Sequence, residues 1–229
     1  MREIALDTET TGFDPDQGDK IVEIGCVELI NHVPTGKTWH KYINPEREID
    51  AGAIAVHGIT NEKVKDCPTF GELVGEFLDF VGDSTLVIHN AEFDIKFLNA
   101  EMKPYGFPPF KVANAIDTVQ VARKKYPGQP ANLDALCRRF GIDLSDRDFH
   151  GALLDAQLLA KVYLELMGGR QHGLGLDSGS AGNIFTESGA IPTKRVFREP
   201  RVFPVPPEEL EKHQSMLANL KGNLWQEAE

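Results

Sequence analysis

The sequence IALDTETTG, which runs from Ile4 to Gly12, decides the fold and the chemistry that we predict. Its apolar start predicts a short buried strand, and its polar end with Gly12 predicts a turn. Asp7 and Glu9 lie two positions apart, so both carboxylates point to one face of an extended chain. Two like charges so near to each other are costly to bury unless a cation, such as a divalent ion with oxygen ligands, lies between them. Asp-x-Glu alone leaves open a solvated strand end with two surface acids.

Composition and charge narrow the class of protein. The 229 residues are 41% hydrophobic and 26% charged, which is ordinary for a globular protein with one core. The formal net charge of −11 argues against binding nucleic acid through broad basic surfaces. An enzyme that meets phosphates through metal ions at one site remains possible, but its affinity for DNA alone should be weak. Such an enzyme would need a partner to hold it on DNA.

We expect neither a membrane span nor a signal peptide, and the cysteines suggest no cross-link. No stretch approaches the ~18 apolar residues of a membrane span, and no signal peptide precedes the first strand. Cys26, Cys67 and Cys137 are scattered and form no C-x-x-C motif. We therefore expect reduced cysteines in a cytoplasmic protein without membrane contact.

The order of elements predicts an α/β fold. Three strands come first as an antiparallel meander, with the second turn at Thr35-Gly36, and strands then alternate with helices. Strands four and five are joined through a helix and should be parallel. The predicted later elements are a helix after Thr69 ending at Gly82, a strand over 85–89, a helix over 91–102, a strand over 112–117, and helices ending near 125, over 133–140 and over 151–167. A mixed five-stranded sheet flanked by helices results.

Two further acids and a histidine are predicted at the same edge of the sheet as Asp7 and Glu9. Asp94 begins a helix that follows a strand, and His150 lies five residues before Asp155. Residues five apart on one helix would point about 140° away from each other, so we expect His150 on the loop that enters the helix of Asp155. Ligands bind at the carboxyl ends of strands in open α/β sheets. Four carboxylates there suit two divalent ions, and a nearby histidine could take a proton from water.

These motifs in this order resemble those of the DEDDh 3′→5′ exonucleases, which have a ribonuclease H-like fold. The resemblance covers roughly residues 2–167 and rests on Asp7-x-Glu9, His89-Asn90-x-x-Phe93-Asp94 and His150-x4-Asp155. Supporting stretches are Val56-His57-Gly58-Ile59 and Leu133-Asp134-Ala135-Leu136-Cys137. The sequence is most similar to the branch that proofreads DNA replication within a replicative polymerase.

The resemblance implies a role for each site residue. Asp7, Glu9 and Asp155 would bind the catalytic metal and contact the substrate, and Asp7 would also contact a second ion. Asp94 would hold that second ion through water, and His150 would be the general base. The resemblance gives three further substrate-binding positions, His57, Phe93 and Gly52. The family member that this sequence resembles most has an acid in place of Gly52, so this contact would have to use the backbone. The sequence does not choose between Mg²⁺ and Mn²⁺.

The last sixty residues predict a tail with partners of its own. We expect an exonuclease domain over 1–169, a clamp-binding peptide and flexible linker over 170–194, and a polymerase-binding segment over 195–229. Gln171-His172-Gly173-Leu174-Gly175-Leu176 resembles the short peptide that docks in the sliding clamp. Residues 195–229 resemble the segment that binds the polymerase alpha subunit. Docking of the tail on the catalytic domain is the alternative.

Two other functions stay open at this point. An RNA-directed DEDDh exonuclease would share the motifs, although such enzymes generally lack a long linker and a polymerase-binding tail. A non-catalytic bridge between clamp and polymerase would not need five intact site residues. The favoured prediction is a metal-dependent enzyme that removes the last nucleotide from a DNA 3′ end and releases a nucleoside 5′-monophosphate.

Overall fold

The computed structural model describes residues 1–145, 149–169 and 205–219 of the chain. The chain divides into two units, Met1–Leu176 and Asp177–Glu229. The linker, the clamp peptide and most of the polymerase-binding segment lie outside the described residues. The domain boundaries given above therefore stay predictions.

A five-stranded mixed sheet forms the centre of the first unit. Its strands are β1 (Arg2–Thr10), β2 (Ile21–Ile30), β3 (Val33–Tyr42), β4 (Thr85–Ile88) and β5 (Ile116–Asp117). Their order across the sheet is β3-β2-β1-β4-β5. The first three pair antiparallel, and β4 is parallel to both β1 and β5. The predicted α/β class and the parallel pairing of strands four and five are thus confirmed.

Eight α-helices occur among the described residues. They are α1 (Ala51–His57), α2 (Asn61–Val64), α3 (Phe70–Val81), α4 (Ala91–Met102), α5 (Thr118–Lys125), α6 (Leu133–Phe140), α7 (Ala152–Leu166) and α8 (Pro207–Asn219). Side-chain caps mark the starts of α3 and α6. Thr69 and Glu72 form the capping box of α3, and the Asn132 side chain accepts from Ala135 N at the start of α6.

The alternation of β1 distributes its side chains between two cores. Ile4 and Leu6 are fully buried in a cluster with residues of α3 and α4. Ala5 points to the other face and belongs to a second cluster that contains the inner side of α7. Because both faces are covered, β1 is a central strand, and its carboxyl end brings Asp7 and Glu9 to the rim of the sheet.

The predicted turn at Thr35-Gly36 is wrong, since both residues lie inside β3. The chain instead reverses at Asn31 and His32, which have φ values of 50° and 69°. Two successive residues with positive φ make the tight turn whose twist matches a hairpin. The buried Glu3 carboxylate holds this turn by accepting from His32 N at 3.1 Å. A buried acid on β1, the strand next to β2, thus overrides the local Thr-Gly signal.

The fifth strand is shorter than predicted, because residues 112–114 form a 3-10 turn rather than strand. Asn114 N donates to Lys111 O at 2.9 Å, and Ala115 N donates to Val112 O at 3.0 Å. These local bonds use backbone groups that a strand would need for the sheet. Only Ile116 and Asp117 pair with β4.

The described part of the second unit is the helix α8, which begins at Pro207. Its side chains are exposed apart from one half-buried residue, Leu217. Among the helices of the described residues, none is long and apolar enough to cross a membrane.

Candidate functional site

The end of β1 places two carboxylates on the sheet face that α7 covers. Asp7 is half-buried and lies opposite Gly25 of β2, while Glu9 is 9% exposed and lies opposite Glu23. The two acids therefore stand in one row, as their spacing predicts. The residues opposite them on β2 are thus a glycine and a third acid.

The glycine lets the helix of Asp155 approach the sheet. A Cβ atom on Gly25 would lie 2.3 Å from both the carbonyl carbon of Ala152 and the amide nitrogen of Leu153. The first turn of α7 thus rests directly on the backbone of β2. Asp155, in that turn, is 3% exposed.

His150 precedes α7 and meets Asp155, in agreement with the geometric expectation. The Nδ1 atom of His150 lies 3.2 Å from Asp155 Oδ2, and the imidazole remains about half exposed. Glu9 completes the group, since one ligand atom from each of the three residues lies within 4.8 Å of the others. These are the donor types that a divalent ion accepts in proteins.

Asp94 approaches the same strand from the α4 side. Its Oδ1 accepts a 2.7 Å hydrogen bond from the Thr8 hydroxyl, and Thr8 stands between Asp7 and Glu9. Asp94 is 3% exposed. Burial raises the pKa of its carboxyl to about 7, against the lowering effect of the Thr8 bond, and Asp117 raises it slightly further. Asp94 does not belong to the Glu9–His150–Asp155 group.

His57 ends α1 and is buried against the end of β1. Its Nδ1 accepts from Ile59 N at 3.0 Å, so the ring proton lies on Nε2, which donates to Thr10 O at 3.3 Å. Burial lowers the pKa of His57, and the Thr10 carbonyl and the nearby Glu23 partly oppose this. The structure therefore holds His57 as a neutral ring beside the strand of the carboxylates.

Phe93 and Gly52 are each placed at the first turn of a helix. Phe93 is half-buried beside Phe97, with ring centroids 4.9 Å apart, so part of its ring remains accessible. Gly52 is exposed on α1, and a Cβ there would meet no atom within 4 Å. Nothing in the described structure blocks a ligand at Gly52, and only its backbone could make a contact.

Sequence reasoning missed two residues that support this site. The sequence predicts a turn at Thr8, yet Thr8 lies in β1 and its hydroxyl holds Asp94. Glu23 lies in a strand of mostly apolar residues, yet its carboxylate is 3% exposed and accepts from Ala152 N at 3.0 Å. A charged residue among mostly apolar neighbours was the available signal, and Glu23 shares it with Glu28 of the same strand.

The donor set fits divalent metal ions. Glu9 and Asp155 supply oxygen ligands that are almost fully buried, and Asp94 is a buried carboxyl whose pKa is raised to about 7 by desolvation. A bound cation would reverse that penalty, because it favours the charged form of each acid. Asp7 stands in the same row as Glu9 on β1.

The sequence is similar to that of curated proteins along almost its whole length. The sequence model of the family described as Exonuclease matches residues 4–163. DNA polymerase III subunit epsilon of Rickettsia conorii is 48% identical over 225 residues, which cover 96% of each chain. The protein of the same name from Buchnera aphidicola is 40% identical, with 99% of this chain and 96% of that chain covered.

Solved structures of nucleases share the fold. Exonuclease X in complex with 5′ overhanging duplex DNA superposes with a TM-score of 0.57 at 27% identity, covering 72% of this chain and 90% of that one. The nuclease domain of 3′hExo, a DEDDh family member bound to rAMP, gives a TM-score of 0.62 at 21% identity, with 72% and 91% covered. The chain belongs to the exonuclease family, in the branch of the bacterial DNA polymerase III epsilon subunits.

Proposed function

We propose how this proofreading 3′→5′ exonuclease of a replicative DNA polymerase carries out its reaction. The observation that carries the proposal is the group of Glu9, His150 and Asp155, whose ligand atoms lie within 4.8 Å of one another at the end of β1. Divalent metal is required for activity in this family. The count of two ions, the choice of Mg²⁺ or Mn²⁺ and the role of each residue are our proposals.

The four carboxylates of Asp7, Glu9, Asp94 and Asp155 would hold two ions. Bound there, the ions would stabilise the negative charge that develops on the attacking and the leaving oxygens of the phosphodiester. The protein contributes the preformed spacing: α7 fixes Asp155 against β2, and Thr8 fixes Asp94 against β1. Asp94 would give up its proton when the second ion binds.

His150 would act as the general base. It is about half exposed, so water can reach its ring, and it lies on a loop rather than within the helix. Taking a proton from the attacking water lets the water oxygen bond to phosphorus, while the 3′ oxygen of the penultimate nucleotide leaves. The products are a nucleoside 5′-monophosphate and a DNA strand one nucleotide shorter.

The terminal nucleotide would lie against His57 and Phe93. Phe93 offers an accessible aromatic face for a base. His57 is neutral and buried, and supports the strand end rather than attracting phosphate charge. Gly52 would contribute backbone contact only. A frayed mismatched end costs less to unpair than a matched one, so we expect mismatched ends to be degraded faster.

We propose that the chain works in the cytoplasm, bound to the polymerase alpha subunit through residues 195–229 and to the sliding clamp through Gln171–Leu176. Tethering raises the local concentration at the DNA end without strong contacts to DNA. That suits a chain with a net charge of −11. Near full-length similarity to epsilon subunits favours DNA over the RNA-directed alternative. Digestion of matched DNA and RNA oligomers would test this preference.

The decisive experiment is metal-dependent digestion of a 3′-labelled, mismatched DNA primer. We expect release of labelled mononucleotide with Mg²⁺ or Mn²⁺, none with EDTA, and a fall of about 100- to 10,000-fold in kcat for His150→Ala. His32→Ala is the matched control, since His32 lies at the far hairpin turn and should leave kcat unchanged.

A metal titration of the same variants distinguishes two roles for His150. Because one of its ring nitrogens is grouped with oxygens of Glu9 and Asp155, His150 could also serve as a ligand. If His150 is a general base, His150→Ala should lower kcat and leave the half-saturating metal concentration unchanged. If His150→Ala instead regains full kcat at high metal concentration, the general-base role is wrong.

A further inference from the structure

The helix α7 has no N-terminal cap from its own chain segment. Its N-cap residue is Gly151, which has no side chain to accept from the free N–H groups of the first turn. The acceptor comes from β2 instead. Glu23 Oε2 accepts from Ala152 N at 3.0 Å in a buried hydrogen bond. A strand residue 129 positions away in sequence thus caps the helix that carries Asp155.

Glu23 stands in the row of the proposed metal ligands without being one of them. It lies directly opposite Glu9 in the β1–β2 register. Its second oxygen, Oε1, lies 2.6 Å from Nε2 of His40 on β3. Both carboxylate oxygens are therefore engaged, and the side chain is 3% exposed. Such doubly bonded buried carboxylates are rigid, because every alternative rotamer would leave a charge unpaired.

The segment that carries His150 is held on both sides. On one side His150 N donates to Val56 O at 3.2 Å, at the end of α1. On the other side Ala152 N is bonded to Glu23. Only Gly151 separates the two fixed points, and glycine by itself restrains the backbone least of all residues. The direction in which His150 points therefore depends on both anchors.

We propose that Glu23 is a positioning residue for catalysis, which sets the place of His150 by capping α7 across the sheet. Glu23 touches neither substrate nor metal in this scheme. Its loss would let residues 150–152 move away from Glu9 and Asp155. This inference rests on the proposed role of His150 as general base.

The test compares Glu23→Ala, His150→Ala and the double variant on the 3′-labelled primer in the full-length chain. We expect Glu23→Ala to lower kcat by about 10- to 100-fold, as loss of a supporting contact does, with little change in KM. In the His150→Ala background the same substitution should lower the residual rate no further. A structural defect would multiply with the loss of His150 instead.

Glu3 provides a matched control on the same sheet and the same helix. It is a fully buried carboxylate that accepts from the Tyr163 hydroxyl of α7 at 2.7 Å, far from His150 in the chain. Glu3→Ala should lower the Tm by several degrees with an unchanged kcat. Glu23→Gln keeps an oxygen for Ala152 N and an amide for His40, so it should retain kcat within a few-fold.

Three results would overturn the inference. In the first, Glu23→Ala lowers the Tm as Glu3→Ala does but keeps the kcat of the parent. In the second, Glu23→Ala lowers kcat by the same factor in the parent and in the His150→Ala variant. Should Glu23→Ala fail to fold, Glu23→Gln decides alone: a loss as large as that of His150→Ala would show that charge, and not the cap, matters. If His150→Ala itself keeps full activity, the proposed function fails first, and the two failures are thereby distinguished.

Discussion

At the scale of the residue, Asp94 carries an energetic cost that the metal-free protein must bear. Its carboxyl is buried, receives a single side-chain hydrogen bond from Thr8, and has a pKa raised to about 7. The unfolded chain ionises the same group near 3.8. Between these two values the folded state holds one more proton than the unfolded state. The contribution of Asp94 to the free energy of unfolding therefore falls as pH rises from about 4 to 7.

Asp94→Asn should stabilise the metal-free protein at pH 8 while abolishing normal nuclease activity. An amide keeps the bond from Thr8 and carries no charge to desolvate, so we expect a gain on the order of 2 kcal/mol in EDTA. The gain should shrink towards pH 4, where both side chains are neutral when folded. Urea unfolding from pH 4 to 8 measures it. A variant no more stable than the parent at pH 8 would contradict the raised pKa.

Single residues were predictable from the sequence where chemistry and spacing coincide. Asp7 and Glu9 share a face because strands alternate, and His150 had to precede the helix of Asp155 because a helix would separate them. Thr8 and Glu23 were not predictable in the same way. Their partners, Asp94 and Ala152, are 86 and 129 residues away, and a local pattern does not encode such pairs.

At the scale of the element, the contact between β2 and α7 positions His150 and Asp155. Gly25→Ala would drive a Cβ into the backbone of Ala152 and Leu153, which cannot move aside as a flexible side chain could. We expect the first turn of α7 to shift, with a loss of about 1–3 kcal/mol in stability and a clear fall in kcat. Thermal unfolding and primer digestion measure both effects.

Gly75→Ala is the control for that substitution. Gly75 lies exposed within α3, and an added Cβ meets nothing within 4 Å. Alanine should stabilise the helix there by about 1 kcal/mol, with no effect on kcat. If Gly25→Ala and Gly75→Ala had the same kcat and the same stability, the close contact at Gly25 would not be what positions the site.

Elements were predicted well when their ends carried a chemical signal. The helix α3 begins at a capping box, and α6 ends at Gly141 in the left-handed region, as glycine allows. The hairpin between β2 and β3 was misplaced because Thr35-Gly36 is a good local turn. The actual turn at Asn31 and His32 depends on Glu3, a buried partner that only the folded sheet supplies.

At the scale of the whole molecule, all proposed catalytic groups lie in the unit Met1–Leu176. Removal of residues 177–229 should therefore leave the rate on a short single-stranded oligomer unchanged at saturating substrate. The same truncation should abolish co-purification with the polymerase subunit, because the proposed binding segment is lost. Side-by-side rate and pull-down measurements test both statements. A large fall in the oligomer rate would show that the tail contributes to the site.

The contact between β2 and α7 limits how the metal site of the nuclease can be redesigned. Where β2 meets α7 at Gly25, main chain rests on main chain, so the gap between strand and helix is one backbone thickness. No choice of rotamer can widen or narrow it. Attempts to retune the ion preference should therefore exchange the carboxylates themselves, since the frame that separates them offers no side chain to adjust.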